Sequence, residues 1–200
     1  MAEAFEAANF AVPFDKSVSR SLVLDTIFGS SLASQQDSLF SSTIFSATGT
    51  AQTTASSIDP DSVATFSAAS DYTTFFGVDT AATYTIAGTV SHAGSAFSNP
   101  DADLGRAFIE LSEVGGAILF SREAAVGSFT PFDMSILLAP GVAYSLTAGA
   151  SALANLGDTQ TSSSSTSAFS FALVIPEPHT ANLLAAGMLG LALWSRRRSH

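Results

Sequence analysis

Apolar and polar residues alternate one by one along residues 72–78 and again along residues 83–91. Successive side chains of a β-strand point to opposite faces of a sheet. A period of two therefore predicts strands that bury one face and expose the other to solvent. We interpret both segments as half-buried strands of a packed β domain.

Similar segments recur roughly every 10–15 residues up to position 175, with turn residues between them, as in an all-β domain. Gly115-Gly116 supplies the positive φ near a hairpin turn. The further expected strands are residues 107–111, 117–120, 128–138 with an interruption at Pro131, 142–148 and 168–175, with loops at 92–105 and 155–165 and a turn at 139–141. No convincing helix lies among them. The pattern predicts a β-sandwich, jelly-roll-like, over residues 61–175.

The first 60 residues form a poorly patterned N-terminal part of this body. Their apolar residues lie in Ser/Thr-rich surroundings, and short strands are predicted only around residues 39–47 and, just beyond, 62–68. The low-complexity stretch 161–167 is interpreted as a flexible loop, with O-glycosylation as an alternative.

Residues 176–200 differ from everything before them. Pro176-Glu177-Pro178 form a rigid polar hinge, because each proline fixes its own φ and keeps the preceding residue out of the helical region. Residues 181–194 are apolar or Gly except for Asn182, which predicts a helix. Arg196-Arg197-Arg198 follow, and the positive-inside rule keeps such a cluster in the cytoplasm. The tail is interpreted as a single hydrophobic helix held in membrane lipid.

The three parts in this order resemble the PEP-CTERM sorting signal of bacterial surface proteins, and the resemblance covers this tail alone. It implies recognition by exosortase, with Pro176, Glu177 and Pro178 as the sorting motif. It implies that Arg196, Arg197 and Arg198 form the stop-transfer cluster. It also implies a membrane anchor formed by Leu183, Leu184, Met188, Leu189, Leu191, Leu193 and Trp194. A Gram-negative source that makes exopolysaccharide is also implied. The protein would be anchored in the inner membrane before processing and would then reach the cell surface or the exterior.

A second interpretation of the apolar segment, a helix that docks on protein and does not enter a membrane, stays open. Its 14 residues span roughly 21 Å as a helix, short of the roughly 30 Å of a hydrocarbon core. A helix of this length more often docks on a protein core. The flanking prolines and arginines favour the membrane anchor, since thinning of the bilayer and snorkelling of arginine cover part of the mismatch.

An N-terminal signal peptide is not evident. Residues 1–6 include two glutamates and carry neither a basic n-region nor an apolar h-region. The apolar run 22–32 follows Lys16 and Arg20, but Asp25 breaks it. We expect either a true start upstream of Met1 or a mature chain that begins there.

Charge and cysteine content exclude several classes of function. The net charge is −10, and 16 of the 17 acidic residues but only four of the seven basic ones lie before position 176. A body this acidic is a poor partner for nucleic acid, which is bound through Lys and Arg. Cysteine is absent, which excludes disulfides, thiol catalysis and cysteine-ligated metals.

No catalytic arrangement stands out. His92 is the one histidine before the tail and is expected to be a solvated loop residue. Two possible calcium-binding groups are Asn99 with Asp101 and Asp103, and Asp59 with Asp61; solvent-facing turns are the preferred interpretation. The carboxylates considered for a glycosidase are Glu110, Glu113, Glu123 and Asp133. The lone tryptophan, a residue that often stacks on sugars, is Trp194 of the tail.

The sequence therefore predicts an exported surface or matrix protein with a structural or display role. It predicts no enzyme activity, cofactor or metal. The alternative is a carbohydrate-binding module in the exopolysaccharide matrix, and a glycan hydrolase is the least favoured hypothesis.

Overall fold

The computed structural model describes residues 14–41, 44–59, 61, 63–94, 105–157 and 161–174. The sorting motif, the anchor helix, the arginine cluster and residues 1–6 lie outside them. Within these ranges the chain forms ten β-strands: β1 (Phe14–Leu24), β2 (Ile27–Ser41), β3 (Ile44–Ser57), β4 (Ala64–Gly77), β5 (Ala82–Gly94), β6 (Gly105–Glu113), β7 (Ile118–Ala124), β8 (Ser128–Leu138), β9 (Ala143–Leu156) and β10 (Ser162–Val174).

The strands make two antiparallel sheets. One has six strands in the order β1-β2-β3-β10-β5-β8, and the other has four in the order β4-β9-β6-β7. The last eight strands pair in a nested way, β3 with β10, β4 with β9, β5 with β8 and β6 with β7. A long hairpin rolled up in this manner is the jelly-roll arrangement. The predicted all-β sandwich is confirmed, and β1 and β2 extend its larger sheet.

One end of the interior is aromatic. Tyr72 packs edge-on against Phe171 with ring centroids 5.3 Å apart, and Phe76 lies 5.7 Å from the ring of Tyr144. These rings come from both sheets, because inward side chains of the two sheets interdigitate. Aromatic pairs contribute about 0.5–1.5 kcal/mol beyond their buried area, and the Tyr72–Phe171 pair joins the four-stranded sheet to the six-stranded sheet.

The other end of the interior is built from small residues. Between residues 148 and 154 the inward side chains of β9 are alanines, with Leu156 beyond them, and those of the facing parts of β10 and β3 are serine, threonine and alanine. The small residues include Ala150, Ala152, Ala154, Ser163, Ser165 and Thr53, all nearly inaccessible to solvent. Cα atoms of β9 come within 8 Å of those of β3 and β10. Face-to-face sheets usually lie about 10 Å apart, so small side chains let the sheets approach closely.

The N-terminal part of the body is more ordered than its sequence suggests. Three long strands, β1 to β3, lie before residue 58, where only a short strand at 39–47 was expected. Over residues 47–57, every second position of β3 is buried and the positions between them are exposed or half-buried. Its buried residues are as small and nearly as polar as its exposed ones, so hydropathy carries no period of two there.

Two further expectations are wrong. Pro131 does not interrupt its strand, because β8 is an edge strand and a missing N–H is tolerated there. Residues 162–167 are not a loop but the first half of β10, which pairs with β3 and β5. The hairpin around Gly115-Gly116 is confirmed, with Gly115 at φ 72° between β6 and β7.

Candidate functional site

His92 is buried, contrary to expectation. Its exposed fraction is 1%, and it faces inward from β5 rather than lying in a solvated loop. The strand runs three residues further than the sequence pattern indicates, to Gly94, which places His92 opposite Ser167 of β10. The imidazole is therefore a core residue of the small-residue end.

A short hydrogen-bond chain holds the His92 ring. Nδ1 of His92 lies 2.7 Å from Oγ of Ser167, and that hydroxyl donates to the carbonyl oxygen of Ser151 at 2.5 Å. A serine hydroxyl has one proton. Since Ser167 gives it to Ser151, the Nδ1–H of His92 must donate to Ser167. This arrangement links β5, β10 and β9 and has no nucleophile exposed to a substrate.

The four carboxylates considered for glycoside cleavage do not converge. Glu110 and Glu123 face outward from the four-stranded sheet, while Asp133 faces outward from the six-stranded sheet on the opposite side of the sandwich. Glu113 lies at the β6–β7 turn beside Gly116. Asp133 therefore has the whole domain between it and both Glu110 and Glu123.

The proposed calcium ligands give no site in the described ranges. Asn99, Asp101 and Asp103 lie outside them. The Asp61 amide donates to Oδ1 of Asp59 at 3.1 Å, which is a turn closed by its own side chain. No group of three or more His, Cys, Asp or Glu residues that could hold a metal ion occurs in the part of the chain that is described. No helix there is long and apolar enough to cross a membrane.

The outer surface of the six-stranded sheet is uncharged at its centre. We define the uncharged face as the outward side chains of β2, β3, β10 and β5 with the flanking Phe129 of β8. In the described residues the outward positions of those four inner strands are Ser, Thr, Gln and Ala, together with the larger apolar residues Phe28, Leu32, Ile44 and Val174. Its charged neighbours are Asp15 on β1 and Asp133 on β8.

Rows of side chains cross the uncharged face. One row runs from Ser34 through Thr50, Ala168 and Ser91 to Phe129, one residue per strand. Ser34 and Thr50 hydroxyls lie 2.6 Å apart. Rows repeat about every 6.8 Å along the strands, and neighbours in a row lie about 4.8 Å apart. The hydroxyls thus form a regular array.

A shallow depression lies in the same face, with a volume of about 560 Å³. It forms because several outward side chains at this point are very small. Its outward lining residues are Gln36, Ser46, Thr48, Ala87, Ser170 and Ala172.

The outer surface of the four-stranded sheet, which we name the charged face, is different. Asp71, Gly149, Phe108 and Glu123 form one row across its four strands. The Arg106 guanidinium lies 4.3 Å from the centre of the Phe108 ring. A Cβ on Gly149 would come 2.6 Å from Cε1 of Phe108 and 2.9 Å from Oδ1 of Asp71, so ring and carboxylate both lie over this glycine.

This crowding changes the pKa of the Asp71 carboxyl. Removal of its carboxyl from water raises its pKa, and the positive charge of Arg106 acts in the opposite direction more weakly. Although the residue as a whole is exposed, its carboxylate therefore has a local environment that disfavours the charge. Phe108 is packed between Gly149 and Arg106, which leaves Phe75, 69% exposed, as the accessible ring of the charged face.

Sequence reasoning missed the residues of the uncharged face. Its signal is present, since Thr48, Thr50, Gln52, Thr54 and Ser56 occupy every second position. These hydroxyl and amide side chains alternate with residues that are nearly as small and polar. The period of two is therefore weak in hydropathy. Only the strand pairing reveals that these positions share one surface with β10 and β5.

Comparisons with known proteins add little. No family model matches the chain, and no curated protein does. Among solved structures, it is similar to the crystal structure of the infectious bursal disease virus VP2 subviral particle, with 14% sequence identity over 76% of this chain and 50% of that chain and a TM-score of 0.24. The chain thus spans about half the length of that protein, and so low a score adds nothing to the fold given by the strand order.

Proposed function

We propose that this protein is an exported β-sandwich that is sorted to the cell surface through its C-terminal tail and acts by display. The observation that carries the proposal is the order of Pro176-Glu177-Pro178, the apolar segment 181–194 and Arg196–Arg198. The last strand ends at Val174, directly before this signal. Exosortase would recognise the hinge, the helix would hold the chain in lipid, and the arginines would stop transfer.

The test uses the gene with its upstream region and an epitope tag in the body. Wild type is compared with a variant that carries Ala at positions 176–178, by cell fractionation and intact mass. Pro140→Ala, in the turn before β9, is the matched control for loss of a proline. We expect the wild type and the control to lose the mass of the tail, and the triple variant to accumulate uncleaved in the inner membrane. An uncleaved cytoplasmic protein in all three strains would contradict sorting.

A second candidate function is carbohydrate binding on an outer face of the sandwich. The uncharged face favours it, because it combines a regular hydroxyl array with a depression and an exposed aromatic ring. Hydroxyls serve as both donors and acceptors, as the hydroxyls of sugars do. A glycan pulldown with the full chain tests this function independently of sorting.

A further inference from the structure

We propose that the uncharged face binds a neutral polysaccharide, with one glycan chain seated in the depression lined by Gln36, Thr48 and Ser170. This inference rests on the carbohydrate-binding candidate and specifies its ligand class and its surface. Three observations carry it: the distribution of charge, the hydrogen-bonding capacity of the array, and the position of Phe129.

Charge argues for a neutral ligand. The chain carries a net charge of −10. The described outward positions of β2, β3, β10 and β5 bear no Lys or Arg with which to pair a uronate or sulfate group. An acidic polysaccharide would meet long-range repulsion and no local compensation. A neutral polysaccharide meets no such repulsion and needs no compensating charge. On binding, its hydroxyls exchange hydrogen bonds with water for hydrogen bonds with protein hydroxyls.

The hydroxyl array has bonding capacity to spare. Oγ of Ser30 lies 2.9 Å from Oγ1 of Thr54, and Oγ of Ser34 lies 2.6 Å from Oγ1 of Thr50. One hydroxyl–hydroxyl bond uses one of the two protons of a pair and one of its four acceptor sites. Each pair therefore keeps one donor and three acceptor sites for a ligand. Mutual bonding also limits the rotation of both side chains, which reduces the entropy lost on binding.

Phe129 supplies an apolar platform beside the array. It is 66% exposed and pairs with Ser91 in the row that contains Thr50. Sugar rings have apolar C–H faces, and an exposed aromatic ring offers a large rigid surface to such a face. Single contacts of this kind are weak. A polymer engages many at once, and linked contacts raise the overall affinity strongly.

The experiment measures binding of the purified full chain, in mild detergent, to immobilised neutral polysaccharides (cellulose, galactomannan and β-1,3-glucan) and to polygalacturonate as the acidic probe. Thr50→Glu and Phe129→Ala change the uncharged face. Thr147→Glu and Phe75→Ala are the matched controls on the charged face, with a half-buried threonine and a phenylalanine of similar exposure. Gln36→Glu provides a second charge substitution with almost no change in shape, should Thr50→Glu fail to fold.

We expect binding to at least one neutral polysaccharide that changes little between low and high salt. Thr50→Glu or Gln36→Glu should weaken it about tenfold or more, since an unpaired charge is placed against a neutral partner. Phe129→Ala should weaken it by a smaller factor, and the two controls should stay within about twofold of wild type, below the tenfold step of 1.4 kcal/mol.

Other outcomes overturn the inference in distinguishable ways. Loss of binding in the two charged-face variants alone would keep carbohydrate binding and reject this surface. Binding to polygalacturonate alone would reject the ligand class. Failure to bind any of the four polysaccharides would reject the inference together with the carbohydrate-binding candidate. Self-association that Thr50→Glu abolishes, without polysaccharide binding, would assign the face to a second copy of the chain.

Discussion

Replacing Thr53 by valine is expected to stabilise the protein. Thr53 is 1% exposed on the inner face of β3, and its Oγ1 has no hydrogen-bond partner within the described part of the chain. A buried polar group without a partner costs about 1–3 kcal/mol. Valine has nearly the same shape and carries no such group. We expect a gain of about 1–2 kcal/mol, which raises the melting temperature by about 2–4 °C per kcal/mol for a domain of this size.

Thr50→Val on the same strand is the matched control. Thr50 faces outward, and its hydroxyl bonds to Ser34. Both substitutions bring the same gain in strand propensity, so the difference between them isolates the environment of the hydroxyl. Thr50→Val should lose about 0.5–1.5 kcal/mol with its hydrogen bond. Thermal unfolding of the full chain, followed by circular dichroism, measures both. A Thr53→Val protein no more stable than Thr50→Val would refute the reasoning.

Three further predictions follow from single contacts. Ser167→Ala removes the partner of His92 Nδ1 and of the Ser151 carbonyl and should cost about 1–3 kcal/mol in urea unfolding, whereas Ser170→Ala on the opposite face of β10 should cost little. Gly88→Ala drives a Cβ into the backbone carbonyl of Ser170 and should lower stability by more than about 2 kcal/mol, with loss of soluble protein as the readout. Asp71→Asn concerns pH: because the pKa of Asp71 is raised, the folded state holds its proton more tightly, so stability falls as pH rises above 3.8. The variant should therefore be more stable than wild type at pH 7 but not at pH 3. An equal difference in stability at both pH values would contradict the raised pKa of Asp71.

The second half of the fold was predictable because its strands obey the hydrophobic rule. Ile86 and Val90 of β5 and Ile109 and Leu111 of β6 are almost fully buried, and the outward positions between them carry small or polar residues. There the difference in hydropathy between the two faces of a strand is large, and periodicity finds both the strand and its buried side. The turns at Gly115 and Gly141 were also readable, since both glycines adopt a positive φ.

The site was not predictable in the same way. His92 looked exposed because glycine, serine and alanine follow it, which are usual in loops. In this protein such residues continue the strand to Gly94. Ala93 and Gly94 continue β5 after His92, so the local sequence resembles a loop although His92 itself is packed core. The bond from His92 to Ser167 spans 75 residues, and no local pattern indicates it.

The same composition explains both the missed strands and the uncharged face. β3 and the first half of β10 carry Ser, Thr, Ala and Gln on both sides, which removes the contrast in hydropathy that predicts a strand. Inside, these small residues let the sheets approach, and several of their hydroxyls bond across the interior. Outside, the same residue types leave a surface with many hydroxyls and no charge. A sequence that only had to stay soluble would place charged residues on the exposed side, as β6 and β7 do with Arg106 and Glu123. The absence of charge from the described outward positions of four adjacent strands is therefore the strongest argument that this surface has a partner.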